Sequence, residues 1–153
     1  MTDTARELAE EFDLEVEEAL GEIRLRTTPE KIIGVLEAGK GRGYTLFCDI
    51  AGVDYLGKRE PRFELVYLLR RPEDADLLEI KVPLGEDEAI PSATAVFQGA
   101  NWAEREIFDL YGISFEGHPD LTRLLLPDDW EGYPLRRDYP LVGTEPSPPL
   151  ATE

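Results

Sequence analysis

The chain has 153 residues, 42% of them hydrophobic, and its 33 Asp and Glu against 16 Lys and Arg give a formal net charge of −17. That length suits one domain with a sizeable core, burying roughly 68–70% of the surface an unfolded chain exposes, while the acidic field disfavours nucleic acid and anionic lipid as partners. One cysteine, Cys48, and one histidine, His118, exclude an internal disulfide and any four-ligand zinc or iron–sulfur site made of Cys and His alone.

The N-terminal MTDTARELAEEF is acidic and lacks a basic region followed by an apolar one. It reads as neither a secretory signal nor a transit peptide, so the chain is expected to stay where it is made. Residues 3–20 are expected to be helical, with Ala5, Leu8, Ala9 and Phe12 on one stripe and a break near Asp13. The acids of residues 1–22 read as a solvated face rather than a site for a basic partner. Ile23 and Leu25 alternate with charged residues as in a strand. Thr28-Pro29 is expected to open a helix with Ile32, Ile33 and Leu36 inward, ending before Gly39. The GKGRG run that follows lacks Walker spacing and reads as a turn.

Three strands are expected at Tyr44–Ile50, Arg62–Arg70 and Leu77–Val82, their short connections favouring antiparallel neighbours. Cys48 falls in the first and is expected to be a buried small hydrophobe. The longest apolar runs, Leu65–Leu69 and Leu124–Leu126, are far shorter than the ~20 residues of a membrane span. Ser92 or Thr94 is expected to cap a short turn through Phe97.

Trp102–Tyr111 is expected to be a helix, with Asn101 as N-cap, Glu104 completing a capping box and Gly112 as the left-handed stop. Ten residues are too few for an isolated helix, which is marginal below ~12–15 residues, so this one needs tertiary support. Asp109 stands at the unfavourable end of the helix dipole. Either Arg105 offsets it as an i, i+4 partner, or a cation from the tail or another chain does. Glu104, Glu106, Asp109, His118, Asp120, Asp128 and Asp129 are the groups available for a metal or acid–base site. The sole histidine lies in a Gly-His-Pro turn, and no nucleophile elbow, Ser-His-Asp set or glycine fingerprint is present.

From Gly117 to Gly143, four prolines interleave with Leu121, Leu124, Leu125, Leu126, Trp130, Tyr133, Leu135, Tyr139 and Leu141. A loop beyond about 12–15 residues is uncommon unless functional or disordered, and this one is too apolar for disorder. It reads as a strap docked on a partner, with Arg123, Arg136 and Arg137 as donors to carboxylates and Trp130 and Tyr133 as anchors. Folding back on its own domain is the alternative. The chain is thus expected to divide into an α+β domain over 1–112, an extended docking segment over 113–143 and a disordered tail over 144–153.

At ERExxD, GxxFxGHPDL and RLLLPDDWxGxPLRRDYPL, the sequence resembles the 30-kilodalton subunit family of respiratory complex I, the proton-translocating NADH:quinone oxidoreductase. Asp49–Tyr55 and the strand RFELVYLL extend the resemblance. Thr122 departs from it, since family members more often carry a basic residue before Arg123, and a contact made there is lost or replaced. The resemblance implies an α+β fold: a small mixed, mainly antiparallel sheet with flanking helices and a long extended C-terminal segment over the large subunit that helps form the quinone site. It implies no catalytic, cofactor or metal site in this chain, with FMN, iron–sulfur clusters and quinone held elsewhere in the assembly.

The chain would brace its neighbours near the terminal cluster, peripherally, on the cytoplasmic face of the cell membrane. Its contact residues would come from Glu104, Arg105, Glu106, Asp109, His118, Asp120, Arg123, Trp130, Tyr133, Arg136, Arg137, Asp138 and Tyr139. Membrane-bound hydrogenases and ferredoxin-dependent quinone reductases contain equivalent subunits and give the second reading. An autonomous metal-dependent hydrolase using His118, Asp120 and Asp128-Asp129 is the remote one.

Overall fold

The computed structural model describes residues 2–19 and 21–142. Its elements run α1 (Thr2–Phe12), β1 (Glu15–Ala19), β2 (Glu22–Arg26), α2 (Ile32–Gly41), β3 (Leu46–Asp54), β4 (Phe63–Arg70) and β5 (Leu77–Leu84), followed by β6 (Ile90–Pro91), a 3-10 turn (Ala93–Ala95), α3 (Ala100–Tyr111) and β7 (Phe115–Glu116). Five strands form one sheet in the order β1-β2-β5-β4-β3. Only the β2–β5 pair is parallel, so this is the mixed, mainly antiparallel sheet of an α+β fold. β6 and β7 pair separately, in parallel.

Register decides which side chains meet. Leu65 stands opposite both Gly52 and Val82, and Tyr67 opposite both Ile50 and Ile80. Directly opposed residues share a face, so this face carries the core, covered by Leu8 of α1, Ile32, Val35 and Leu36 of α2, and Ile107 of α3. On the other face Glu17 pairs with Lys81, Arg24 with Glu79 and Arg26 with Glu64. That side has the alternation of a sheet packed on one face only.

Local detail departs from the sequence reading in five places. The first helix stops at Phe12, Asp13 takes φ 52°, and residues 15–19 form a strand instead of continuing the helix. β1 is an acidic edge strand, and a charged edge resists pairing with other chains. Thr28-Pro29 makes a turn ahead of the helix, which begins at Ile32 without a side-chain cap and continues to Gly41. β3 runs on to Asp54, beyond the expected end at Ile50. Cys48 is exposed rather than buried, because the register shifts between Phe47 and Asp49 and a bulged residue does not follow the alternation. Asn101 is not the N-cap of α3. The helix starts at Ala100, where the N–H groups of Ala100 and Asn101 already bond to Phe97 O and Gln98 O. Ser92 does cap the 3-10 turn, accepting from the Thr94 N–H. The tail expected over 144–153 lies outside the described residues.

Candidate functional site

The residues after β7 lie across the C-terminal end of α3, and the contact is polar. A helix leaves its last four carbonyls without internal partners. Here Phe108 O accepts from the Gly112 N–H, Asp109 O from Arg123 Nη1, Leu110 O from the Leu135 N–H and Tyr111 O from Arg136 Nε at 2.6 Å. Three of the four donors belong to the segment, and two are guanidinium groups at the negative end of the helix dipole. This is the tertiary support that so short a helix requires.

Asp109 is the centre of the clasp. Its side chain is fully buried, and Oδ2 accepts the backbone N–H groups of Leu124, Leu125 and Leu126 at 3.1, 2.7 and 2.9 Å. Three successive amides converging on one oxygen form an anion-binding nest. Oδ1 accepts from Arg123 Nη1 at 2.8 Å. Burial alone raises the carboxyl pKa, but the Arg123 guanidinium and the three amides outweigh it and hold the group below the ordinary Asp value. Of the two sources of a cation, Arg105 is not the one that pairs with Asp109. The tail supplies the cation as Arg123, while Arg105 donates to Thr122 O, Thr122 Oγ1 and Arg123 O and stacks over Trp102.

A second anchor holds the far end of the segment. Asp54, at the end of β3, accepts from Arg62 Nε and Nη2 at 3.0 and 2.9 Å and from the Arg137 and Leu56 N–H groups. Arg62 is itself buried and reaches Glu86 and Asp138. Burial would raise the Asp54 carboxyl, yet these donors lower it to about 2. Arg136 lies between the rings of Phe63 and Tyr133 and also reaches Glu86. Gly52 lets α3 approach β3 closely, since a Cβ there would stand 2.8 Å from the Tyr111 ring, whose OH donates to Gly52 O.

Glu104 has a third role. Instead of capping its own helix, it accepts from the Ala93 N–H and Ser92 Oγ, both at 2.6 Å, and so ties α3 to the preceding turn. Burial pushes its pKa up to about 7, even though both hydrogen bonds favour the charged form. His118 lies 3.9 Å away with its side chain buried. Its Nδ1 accepts the Asp120 N–H, which puts the ring proton on Nε2, facing Asn101 O.

Of the remaining residues singled out in the sequence, Trp130 and Tyr139 are half-buried and Glu106, Asp120, Asp128 and Asp129 are exposed. Trp130 contributes its carbonyl to Arg123 Nη2, Tyr139 packs on Gly132, and Asp138 pairs with Arg62. Among the described residues, no three His, Cys, Asp or Glu side chains converge on a metal-sized space, and no helix is long and apolar enough to cross a membrane. Sequence reasoning missed Asp54, Arg62, Glu86 and Ser92 as members of these networks. Arg62 could have been suspected as a charge opening an otherwise apolar strand.

Residues 25–145 match the family described as respiratory-chain NADH dehydrogenase, 30 Kd subunit. An NADH-quinone oxidoreductase subunit of Trichlorobacter lovleyi is 48% identical over 132 residues, covering 85% of this chain and 82% of that one. Its counterpart in Geobacter sulfurreducens is 43% identical over 137 residues, 88% and 85% of the two chains. Among solved structures, a trypsin-resistant fragment of Nqo5 aligns with a TM-score of 0.70 at 32% identity, over 78% of this chain and 98% of the fragment. A chain of the membrane-bound sulfane sulfur reductase, an archaeal respiratory membrane complex, aligns with a TM-score of 0.79 at 26% identity, over 92% and 86%. With the match spanning β3 to β5, α3 and the clasp, the chain belongs to the respiratory-chain NADH dehydrogenase 30 Kd subunit family.

Proposed function

We propose that this chain is a structural subunit of the peripheral arm of a proton-translocating NADH:quinone oxidoreductase, bracing the subunits around the quinone site and the terminal iron–sulfur cluster. It carries no cofactor of its own, and FMN, clusters and quinone belong to neighbouring chains. It sits at the cytoplasmic face of the membrane through the assembly. One observation carries the reading: residues 117–142 are tied to their own domain through Asp109 and Asp54, yet they leave Leu125, Leu135 and Leu141 exposed. Three large apolar side chains left exposed on a segment whose backbone is already fixed suit an interaction surface. An equivalent place in another membrane reductase is the second reading, favoured by the likeness to the sulfane sulfur reductase chain.

The test is a chain carrying Leu125→Asp and Leu135→Asp, at two exposed side chains outside the contacts that hold α3, expressed with the rest of its complex. We expect intact assemblies to be depleted while any that form transfer electrons to quinone at the normal rate per complex. Assemblies present at normal levels but unable to turn over would mean that this chain takes part in the chemistry.

A further inference from the structure

We propose that the outer face of residues 120–142 docks on a protein surface that is apolar and cationic. This rests on the assembly reading above and adds the sign of the partner's charge. The segment's arginines were the natural candidates for meeting carboxylates on a partner, but Arg123 and Arg136 are committed within the chain. Arg123 serves Asp109 and the carbonyls of Trp130 and Gly132, and Arg136 serves Tyr111 O and Glu86.

What faces outward is Leu125, Leu135 and Leu141, 61%, 50% and 105% exposed, together with exposed Asp128, Asp129 and Glu131. The ion pairs of the segment run through Arg123, Arg136 and Asp138, and among the described residues none includes these three carboxylates. Exposed Arg137 offsets one of the three. On the open sheet face, by contrast, acids are matched by bases of this same chain. The backbone under Leu125 is fixed by the Asp109 nest, so an apolar anchor is held in place before any partner arrives. A second copy would set these acids against themselves, and an anionic membrane would be repelled in the same way. Charge complementarity therefore selects a surface with Lys or Arg around an apolar patch.

A photo-crosslinking residue at Leu125 or Leu135, in the chain co-expressed with the other subunits, reports what lies against this face. Retention of D128K/D129K in the purified assembly is measured in parallel at about 0.05 and 0.5 M salt. We expect cross-links to another subunit at a stretch carrying Lys or Arg. Retention of the variant should fall roughly tenfold at low salt, and the gap should narrow at high salt. The isolated variant should keep its unfolding midpoint, because it loses no intrachain partner. Cross-links to an acidic or uncharged surface, or retention unchanged by the reversal, would overturn the cationic partner while leaving the assembly reading intact. Cross-links confined to this chain or to a second copy would overturn docking by this face. Absence of the unsubstituted chain from the assembly would instead defeat the assembly reading.

Discussion

The ring of Tyr133 lies directly on the backbone of Gly112: a Cβ at Gly112 would meet Tyr133 Cε2 at 2.6 Å. Gly112 has φ 74°, so two constraints coincide at the C-cap of α3. The left-handed turn ends the helix, and the missing side chain admits the aromatic ring that sits beside Arg123 and Arg136. Gly112→Ala should lose about 1 kcal/mol from the left-handed backbone alone and about 1–3 kcal/mol more from the clash. Tyr133→Ala in the same chain should recover the second part and not the first. Denaturant unfolding of the two single variants and the double variant measures the coupling, and additive losses would show that ring and glycine do not constrain each other.

Asp109→Ala should be among the most destabilising substitutions in the chain. It removes the charge that the Leu124–Leu126 amides and Arg123 surround, leaving three amides without their acceptor and the guanidinium without its counter-charge. Breaking a buried pair in this way costs about 3–5 kcal/mol. The loss should localise: amide exchange at 124–126 should accelerate strongly while β4 and β5 stay protected. Because its pKa is depressed in the folded state, Asp109 stabilises the fold above the unfolded carboxyl pKa of about 3.9. That contribution fades as pH drops through the lower folded value. Acid should thus loosen the clasp in the wild type and change little in Asp109→Ala.

Glu104 behaves oppositely. Its folded pKa, about 7, lies above the value of 4.5 for a free glutamate, so the folded state holds the proton more tightly. Its contribution is complete below about pH 4.5 and is lost as pH rises to about 7, by an amount on the order of 3 kcal/mol. Glu104→Gln keeps the shape and removes the titration. Unfolding free energies at pH 5 and pH 8 should show a steeper decline for the wild type than for the variant. Parallel curves would mean that Glu104 stays charged throughout, held by Ser92 and Ala93.

What could be seen in the sequence was what is local. The strands declared themselves as apolar runs, and α3 by its periodicity and by Gly112. Cys48 was misplaced because a bulge cannot be counted from alternation. The pairings of Glu104 with Ser92 and of Asp109 with Leu124–Leu126 span 12 to 17 residues, beyond any periodic signal. Asp109 still left a trace: a carboxylate at the wrong end of a helix dipole demanded a cation, and Arg123 answers that demand. Asp54 left none, since an acid closing a strand is ordinary until the fold brings Arg62 and Arg137 to it.

The Asp54 anchor depends on the shape of the group that meets it. Arg62 is buried, meets Asp54 through Nε and Nη2, shares Nη2 with Asp138 and reaches Glu86 through Nη1. Lysine brings one nitrogen and no fork, so Arg62→Lys is not a conservative change here. We expect it to cost about 2 kcal/mol, against about 3–5 kcal/mol for Arg62→Ala, which strands the Asp54 charge. The Arg137 amide would still reach Asp54 in either variant, so the end of the segment should loosen without leaving. If Arg62→Lys unfolds at the wild-type midpoint, the two-nitrogen contact to Asp54 adds nothing beyond a point charge, and the Asp109 clasp alone holds the segment.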